Sequence, residues 1–411
     1  MKAHVEAYGC TLNVGESSEI EDLLAQNGWE LVDDPAGCDL SVLVTCVVIQ
    51  KTERKMLKRV VALASAPKFV ITGCMATSCR REAELLAPHA SFIAPGDLQS
   101  FSRVIGRYST HQRAASKRNG YCIVPIATGC LGECSYCITR VARGSLRSRP
   151  VEDVTSHVRR FVQSGPVEVR MTAQDTACYG ADIGSNLPSL VRGVCDLPFD
   201  FRLRVGMMNP VSVLPLRREI AELYGNRKVF KFLHLPIQSA SDRVLEWMSR
   251  GYRLDDFREI VAGVRAVAHE ATLSTDLIVG YPGETGEDQV ANLEFISEFR
   301  PDIVNVTRFS PRPGTRAAQS GAIVPGEIVK ARSREIAKLR FEVSLELNMG
   351  WVGREVTALA TERGKRETTL LRTDEYRQIV VKEELPLGGY HHVRVTGATR
   401  TFLTGERIDR K

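Results

Sequence analysis

Cys130, Cys134 and Cys137 stand in a CxxxCxxC spacing directly after the apolar run 121–127. Cysteine thiolates hold iron–sulfur clusters, and a cubane cluster has four irons to ligate. Three closely spaced cysteines cover three irons and leave the fourth open, and an open metal position is where chemistry can occur. A CxxC redox pair or half of a zinc site is the plainer alternative. Against zinc, the chain holds no second CxxC and no HxxxH to complete a tetrahedron.

A second set, Cys10, Cys46 and Cys74, is spread widely, and its meaning depends on the elements around it. Residues 4–9, 40–45 and 68–72 read as strands, and 16–27, 51–65 and 80–87 as helices. A further strand and helix follow at 91–94 and 98–107. This alternation over residues 1–106 implies an open parallel sheet with helices on both faces. Each of the three cysteines falls at the end of a strand. Ligands in such sheets bind beyond the carboxyl ends of the strands, so the three converge on one crevice, again with a fourth position free. For any one of them alone, a small buried hydrophobe is the alternative.

Residues 107–120 are polar and non-periodic and read as a linker. Strands are expected at 122–127, 167–172, 201–205, 230–235, 273–279 and 304–309. Helices fit between them, for example at 152–163, 213–224, 255–269 and 287–299. Six such units over 121–345 make an open partial barrel, a relative of the eight-fold barrel whose active face lies at the strand C-termini. The CxxxCxxC loop follows the first strand, on that face. Residues 348–411 change texture to five short strands, at 355–361, 368–372, 378–382, 392–399 and 401–403. They suggest a small closed β-barrel of the oligonucleotide-binding kind, or else a folding cap. The expected class is α/β.

A chain of 411 residues with 43% hydrophobic content needs more than one core. Eleven cysteines without a signal-like N-terminus argue for metal or catalytic use in a reducing, cytoplasmic compartment. No apolar run reaches the ~18 residues needed to span a membrane. Net charge is +6, and residues 111–160 alone carry +6, with +3 on 348–411, −2 on 1–110 and −1 on 161–347. A positive belt around the cysteine loop suits a phosphate-rich partner, or marks a solvated linker.

The CxxxCxxC segment resembles the signature of the radical SAM enzymes. In those, the open iron takes the amino and carboxylate groups of S-adenosylmethionine, and electron transfer yields a 5′-deoxyadenosyl radical. Tyr136 stands where that pattern has an aromatic beside the adenine. With both cysteine sets and the C-terminal strands, the whole chain resembles a radical SAM methylthiotransferase. The resemblance implies a methylthiotransferase domain (1–106), a radical SAM domain (121–345) and a TRAM domain (348–411). Ala7-Tyr8-Gly9-Cys10-Thr11-Leu12-Asn13, with Ser17, Ser18 and Glu19, matches the family's opening. Val44-Thr45-Cys46-Val47 followed by residues 51–56 resembles the archaeal and eukaryotic branch acting on threonylcarbamoyladenosine in tRNA. That branch commonly has Asn where Val44 stands. Segments 172–180, 204–210, 234–241, 275–285 and 309–315 match as well.

The resemblance implies two 4Fe-4S clusters, one on Cys10, Cys46 and Cys74 and one on Cys130, Cys134 and Cys137. Gln174, Asp175, Arg204, Asn209, Gln238 and Asp276 sit where apolar strands run into polar turns. With Tyr136, they are expected to contact S-adenosylmethionine, unless they only satisfy their own turns. The implied reaction replaces the C–H at C2 of adenine 37, beside the anticodon, with S–CH3. That carbon is neither acidic nor nucleophilic, so no catalytic base is expected, and the base must leave the loop stack. Arg140, Arg143, Arg147 and Arg149 are expected to grip loop phosphates, or else to be solvated. Arg363, Lys365 and Arg366, with His391 and His392, are expected to hold the anticodon stem. The implied partners are a tRNA anticodon stem-loop and an electron donor protein, with no membrane. Isopentenyladenosine tRNA and a ribosomal protein are rival substrates, and a non-catalytic iron–sulfur RNA-binding protein is the rival class.

Overall fold

A computed structural model describes residues 1–106, 120–163, 165 and 167–408. Nearly all of the linker expected at 107–120 lies outside them. The N-terminal part runs β1 (Lys2–Ala7), α1 (Thr11–Gln26), β2 (Glu30–Leu31), β3 (Leu40–Thr45), α2 (Gln50–Leu63), β4 (Lys68–Gly73), α3 (Met75–Ser78), α4 (Arg80–Leu86), β5 (Ser91–Phe92) and α5 (Leu98–Ile105). Its strands form one parallel sheet in the order β2-β1-β3-β4-β5. Helices cover both faces, so central β3 is buried at all six residues, as parallel strands require.

Helix α1 begins at Thr11, five residues before the expected start. Its polar Asn13, Glu16, Ser17 and Glu19 are buried along with Leu12 and Ile20, which erases the apolar periodicity. The cause is a second packing partner. A Cβ at Gly15 would stand 2.8 Å from Ile123 Cγ2 and 3.0 Å from Pro125, so α1 lies directly on the next strand of the chain.

That strand, β6 (Tyr121–Pro125), opens the central part. It is followed by the short antiparallel pair β7 (Ala127–Thr128) and β8 (Arg147–Ser148), with α6 (Ile138–Arg143) between them. Then come β9 (Glu168–Thr172), β10 (Arg202–Arg204), β11 (Phe232–His234), β12 (Thr272–Val279) and β13 (Ile303–Arg308). Strands β10-β9-β6 and β11-β12-β13 form two parallel sheets. Leu203 joins them, accepting from Phe230 N at 2.9 Å and donating to Lys228 O at 2.7 Å. The result is the open six-strand wall expected. One 24-residue helix, Gly326–Met349, is unexpected. It buries only Ile336, Val343, Ser344 and Asn348, too sparse a stripe to read, and runs across the expected boundary at 345–348.

The C-terminal strands β14 (Glu355–Arg363), β15 (Thr369–Arg372), β16 (Gln378–Val381), β17 (Tyr390–Ala398) and β18 (Leu403–Arg407) close a barrel in the order β14-β15-β16-β18-β17. Trp351, Leu371, Ile379, Val393 and Leu403 fill it. It is locked to the central wall: Arg170 bridges buried Glu168 and Glu362 at 2.7 Å each, and Tyr376 donates its hydroxyl to Glu168. Among the described residues no helix is long and apolar enough to cross a membrane.

Candidate active site

Cys130, Cys134 and Cys137 lie on the loop between β7 and α6, at the C-terminal edge of β6. Gly129 turns the chain at φ +77°, where a Cβ would collide with Ser145 O. Gly132 N donates to Cys130 Sγ at 3.2 Å. A Cβ on Gly132 would stand 3.4 Å from Cys130 Sγ and 3.8 Å from Cys134 Sγ, so glycine keeps the space between the sulfurs clear. The neighbouring Cys178 draws the Cys130 thiol below its usual range against burial, while the Cys178 thiol itself donates to Asp175 O at 3.1 Å. Burial pushes the Cys137 thiol up. Cys178 is not in either expected set, yet it sits on a cysteine of one.

Arg250 supplies the cation beside this loop. Its Nη1 donates to Cys134 Sγ at 3.1 Å and to the Tyr136 hydroxyl at 3.4 Å. Its Nη2 donates to Asn209 Oδ1 at 2.8 Å and Pro236 O at 3.1 Å. No sequence signal marks it, because 116 residues separate it from Cys134.

A cavity of about 520 Å³ opens in front of the three cysteines. Tyr136, Gln174, Asp175, Arg204, Asn209, Gln238 and Asp276 all line it, from the ends of different strands. Gln174 Oε1 is buried there without a hydrogen-bond partner among the described residues, an acceptor free for a ligand. Arg204 lies 4.8 Å from the Phe232 ring centre and 5.2 Å from that of Tyr376. Gln238 adopts φ +74° and donates its backbone N–H to Asp276 O at 2.7 Å. Asp276 Oδ1 accepts from Asn305 at 2.7 Å, and Oδ2 lies 3.2 Å from His234 Nε2. Asp175 lines the cavity and also orders its own surroundings. Its Oδ1 accepts from Ala177 N and Asn209 N, and its Oδ2 from Ser212 at 2.6 Å. Burial raises its pKa despite these bonds. Its carboxylate therefore holds the loop that carries Asn209.

The second set stands at the C-terminal edge of the N-terminal sheet. Cys10 caps α1 after β1, Cys46 follows β3, and Cys74 follows β4. Asn13 ties two of these strand ends together, donating to Tyr8 O at 2.6 Å and Thr45 O at 2.8 Å. Gly9, at φ +113°, lets the Cys10 turn lie on Cys46, whose Sγ is 3.0 Å from the would-be Cβ. Burial raises the Cys46 thiol and pushes that of Cys74 up to about 12. Cys10 is exposed and lines the same cavity as the CxxxCxxC cysteines, with Val48 and Ile49. Among the described residues no three His, Cys, Asp or Glu groups converge tightly enough for a single metal ion. Cysteines that each take a separate iron of one cluster need no such convergence. The thiol sets, the cleared space at Gly132 and the free Gln174 oxygen thus fit clusters and an organic cofactor.

Two expected phosphate contacts are corrected. Arg143 is 4% exposed. It donates twice to Glu16, at 2.6 and 2.8 Å, and to Asn13 Oδ1 at 2.7 Å. It also lies against Cys74, where its charge offsets part of the burial that raises that thiol. Arg149 is held in a two-point pair by Glu19. Both forks are therefore engaged in clamping α6 and its surroundings onto α1. Thr77 reinforces the clamp, donating to Ala142 O at 2.6 Å. Ile138 and Ala142 complete it by joining the core of Leu43, Met56 and Phe69. Arg147, Arg363, Lys365 and Arg366 are exposed, while Arg140 lines the cavity. His392 is engaged with Thr357 at 3.1 Å.

Residues 2–94 match the family described as "Uncharacterized protein family UPF0004", and residues 124–296 match the "Radical SAM superfamily". Each match contains one cysteine set. The chain is 36% identical over 430 residues to the "Probable threonylcarbamoyladenosine tRNA methylthiotransferase" of Pyrococcus horikoshii, covering 99% of this chain and 100% of that one. It is 28% identical over 433 residues to the human "Threonylcarbamoyladenosine tRNA methylthiotransferase", covering 99% of this chain and 74% of that one. Among solved structures, the radical S-adenosylmethionine methyltransferase TsrM of Kitasatospora setae has a TM-score of 0.58 at 14% identity, over 77% of this chain and 76% of that one. That likeness is one of fold. The chain belongs to the threonylcarbamoyladenosine tRNA methylthiotransferase family of radical SAM enzymes.

Proposed function

We propose that this enzyme places a methylthio group on C2 of N6-threonylcarbamoyladenosine 37, beside the anticodon of tRNA, using two 4Fe-4S clusters. One observation carries the reading: a single cavity is lined by Cys10 from one cysteine set and by all of the other. Cys130, Cys134 and Cys137 would hold one cluster, with S-adenosylmethionine at its open iron, and Cys10, Cys46 and Cys74 the other. When bound, these groups supply one-electron chemistry that breaks an unreactive C–H bond and a sulfur that becomes S–CH3.

The chain's own residues bind and orient. Gln174 offers its free carbonyl, while Arg204, Tyr136 and Asn209 form the walls against which a nucleoside stacks and hydrogen-bonds. Arg250 fixes Cys134, and the Arg143–Glu16 clamp sets the spacing between the two cysteine sets. At about 520 Å³ the cavity is within the ~300–1,000 Å³ range of small-molecule sites, and a flipped base can enter it. Exposed Arg147, Arg363, Lys365 and Arg366 would meet tRNA phosphates. A cytoplasmic protein donor would deliver the electrons.

Anaerobic reconstitution tests the two-site reading. Wild-type protein should hold iron and sulfide for two clusters. Replacing Cys130, Cys134 and Cys137 with Ala should remove one cluster and all cleavage of S-adenosylmethionine. Replacing Cys10, Cys46 and Cys74 should remove the other and leave uncoupled cleavage. Iron for a single cluster in the wild type would overturn the reading.

A further inference from the structure

The cavity is lined by Arg140, Arg204, Arg250 and Arg308. Two of the four are engaged, Arg250 with Cys134 and Asn209, and Arg204 over two aromatic rings. The others differ. Arg140, three residues beyond Cys137 on α6, has a buried Nη1 with no hydrogen-bond partner among the described residues. Arg308, at the end of β13, is exposed and makes no ion pair among the described residues. Among the described residues neither carboxylate of the lining is paired with them: Asp175 accepts from Ala177, Asn209 and Ser212, and Asp276 accepts from Asn305 with His234 beside it. A buried N–H left without an acceptor is costly, so this site is built for a ligand that brings one. A guanidinium fork matches a carboxylate at two points.

We propose that Arg140 and Arg308 form the receptor for the carboxylate of the threonylcarbamoyl side chain, and so decide which modified adenosine enters the site. This rests on the substrate reading above. A site that pairs a charged group rejects an analogue lacking it far more strongly than an apolar pocket rejects a missing methylene.

The test uses reconstituted enzyme and three synthetic anticodon stem-loops. One carries threonylcarbamoyladenosine, one its carboxamide analogue, and one isopentenyladenosine. Binding is followed by fluorescence anisotropy and product by mass spectrometry. Wild type should favour the carboxylate over the carboxamide in both readouts. Arg140→Gln and Arg308→Gln should each weaken binding and turnover of the carboxylate substrate by roughly 10- to 100-fold, collapsing that preference, and Arg140→Lys should restore part of it. Iron content checks that each variant is intact; should Arg140→Gln lose iron, exposed Arg308→Gln decides. An undiminished preference overturns the proposal. So does an equal loss for all three stem-loops, which would make these arginines phosphate contacts. If the wild type prefers the isopentenyl stem-loop, the substrate reading itself falls, whatever the variants do.

Discussion

Arg143→Met should loosen the seam between the two cysteine sets. The Arg143 side chain is fully buried and that of Glu16 is 5% exposed. The pair is joined by bonds of 2.6 and 2.8 Å, with a third bond to Asn13. Methionine keeps the length of the side chain but strands Glu16 as a buried charge, and Asn13 Oδ1 loses a donor. Breaking such a pair from one side costs about 3–5 kcal/mol. Hydrogen exchange of peptides from α1 reports this locally, and about 3 kcal/mol corresponds to exchange faster by roughly 100-fold. Adding Glu16→Gln should recover most of the loss, because the stranded charge is gone. On the proposed function, the iron assigned to Cys10, Cys46 and Cys74 should fall in the single variant, since Asn13 orders two of the strand ends that carry those cysteines. Exchange in α1 that does not change, or a double variant no better than the single, would refute the clamp.

Other expectations follow from the same geometry. Arg250→Gln removes a cation and a hydrogen bond from Cys134, so the potential of the cluster proposed on Cys130, Cys134 and Cys137 should become more negative in an EPR-monitored redox titration. Replacing exposed Arg363, Lys365 and Arg366 with Gln should weaken tRNA binding and lower its log–log salt slope by about 0.7–0.9 for each phosphate no longer neutralised. An unchanged slope would remove this turn from the RNA interface. Burial, with the charges of Arg160 and Arg149, lowers the His157 pKa to about 3. The unfolded chain then binds the proton more readily, so this group's stability is full above pH ~6.5 and is lost as pH falls toward 3; His157→Phe should flatten that part of a pH–melting profile.

The loop set was legible from its CxxxCxxC spacing, and Cys10, Cys46 and Cys74 were legible because each sits at a strand end and strand ends in α/β architectures share one edge. The polar strand-end residues were legible for the same reason, and the structure gathers them around one cavity. Their individual roles were not. Asp175 looks like a ligand group, yet it also accepts from Ala177, Asn209 and Ser212 and so orders the loop beside it. Arg143 and Arg149 sit in a basic stretch that suggests RNA, but only folding reveals that Glu16 and Glu19, some 130 residues earlier, face them. Those same carboxylates hid the start of α1, because a helix buried on two faces loses its amphipathic period. Arg250 left no trace in spacing, since a contact between distant segments is set by the barrel and not by local pattern.

The central claim is that both cysteine sets act on one modified adenosine. Reconstituted enzyme, S-adenosylmethionine and a reductant are incubated with full-length tRNA that is unmodified, threonylcarbamoylated or isopentenylated at adenosine 37, and the nucleosides are weighed by mass spectrometry. The threonylcarbamoylated nucleoside should gain the mass of a methylthio group in place of hydrogen, with far less product from the other two. Preferential modification of the isopentenylated tRNA, or cleavage of S-adenosylmethionine with no methylthio product on any of the three, would contradict the account.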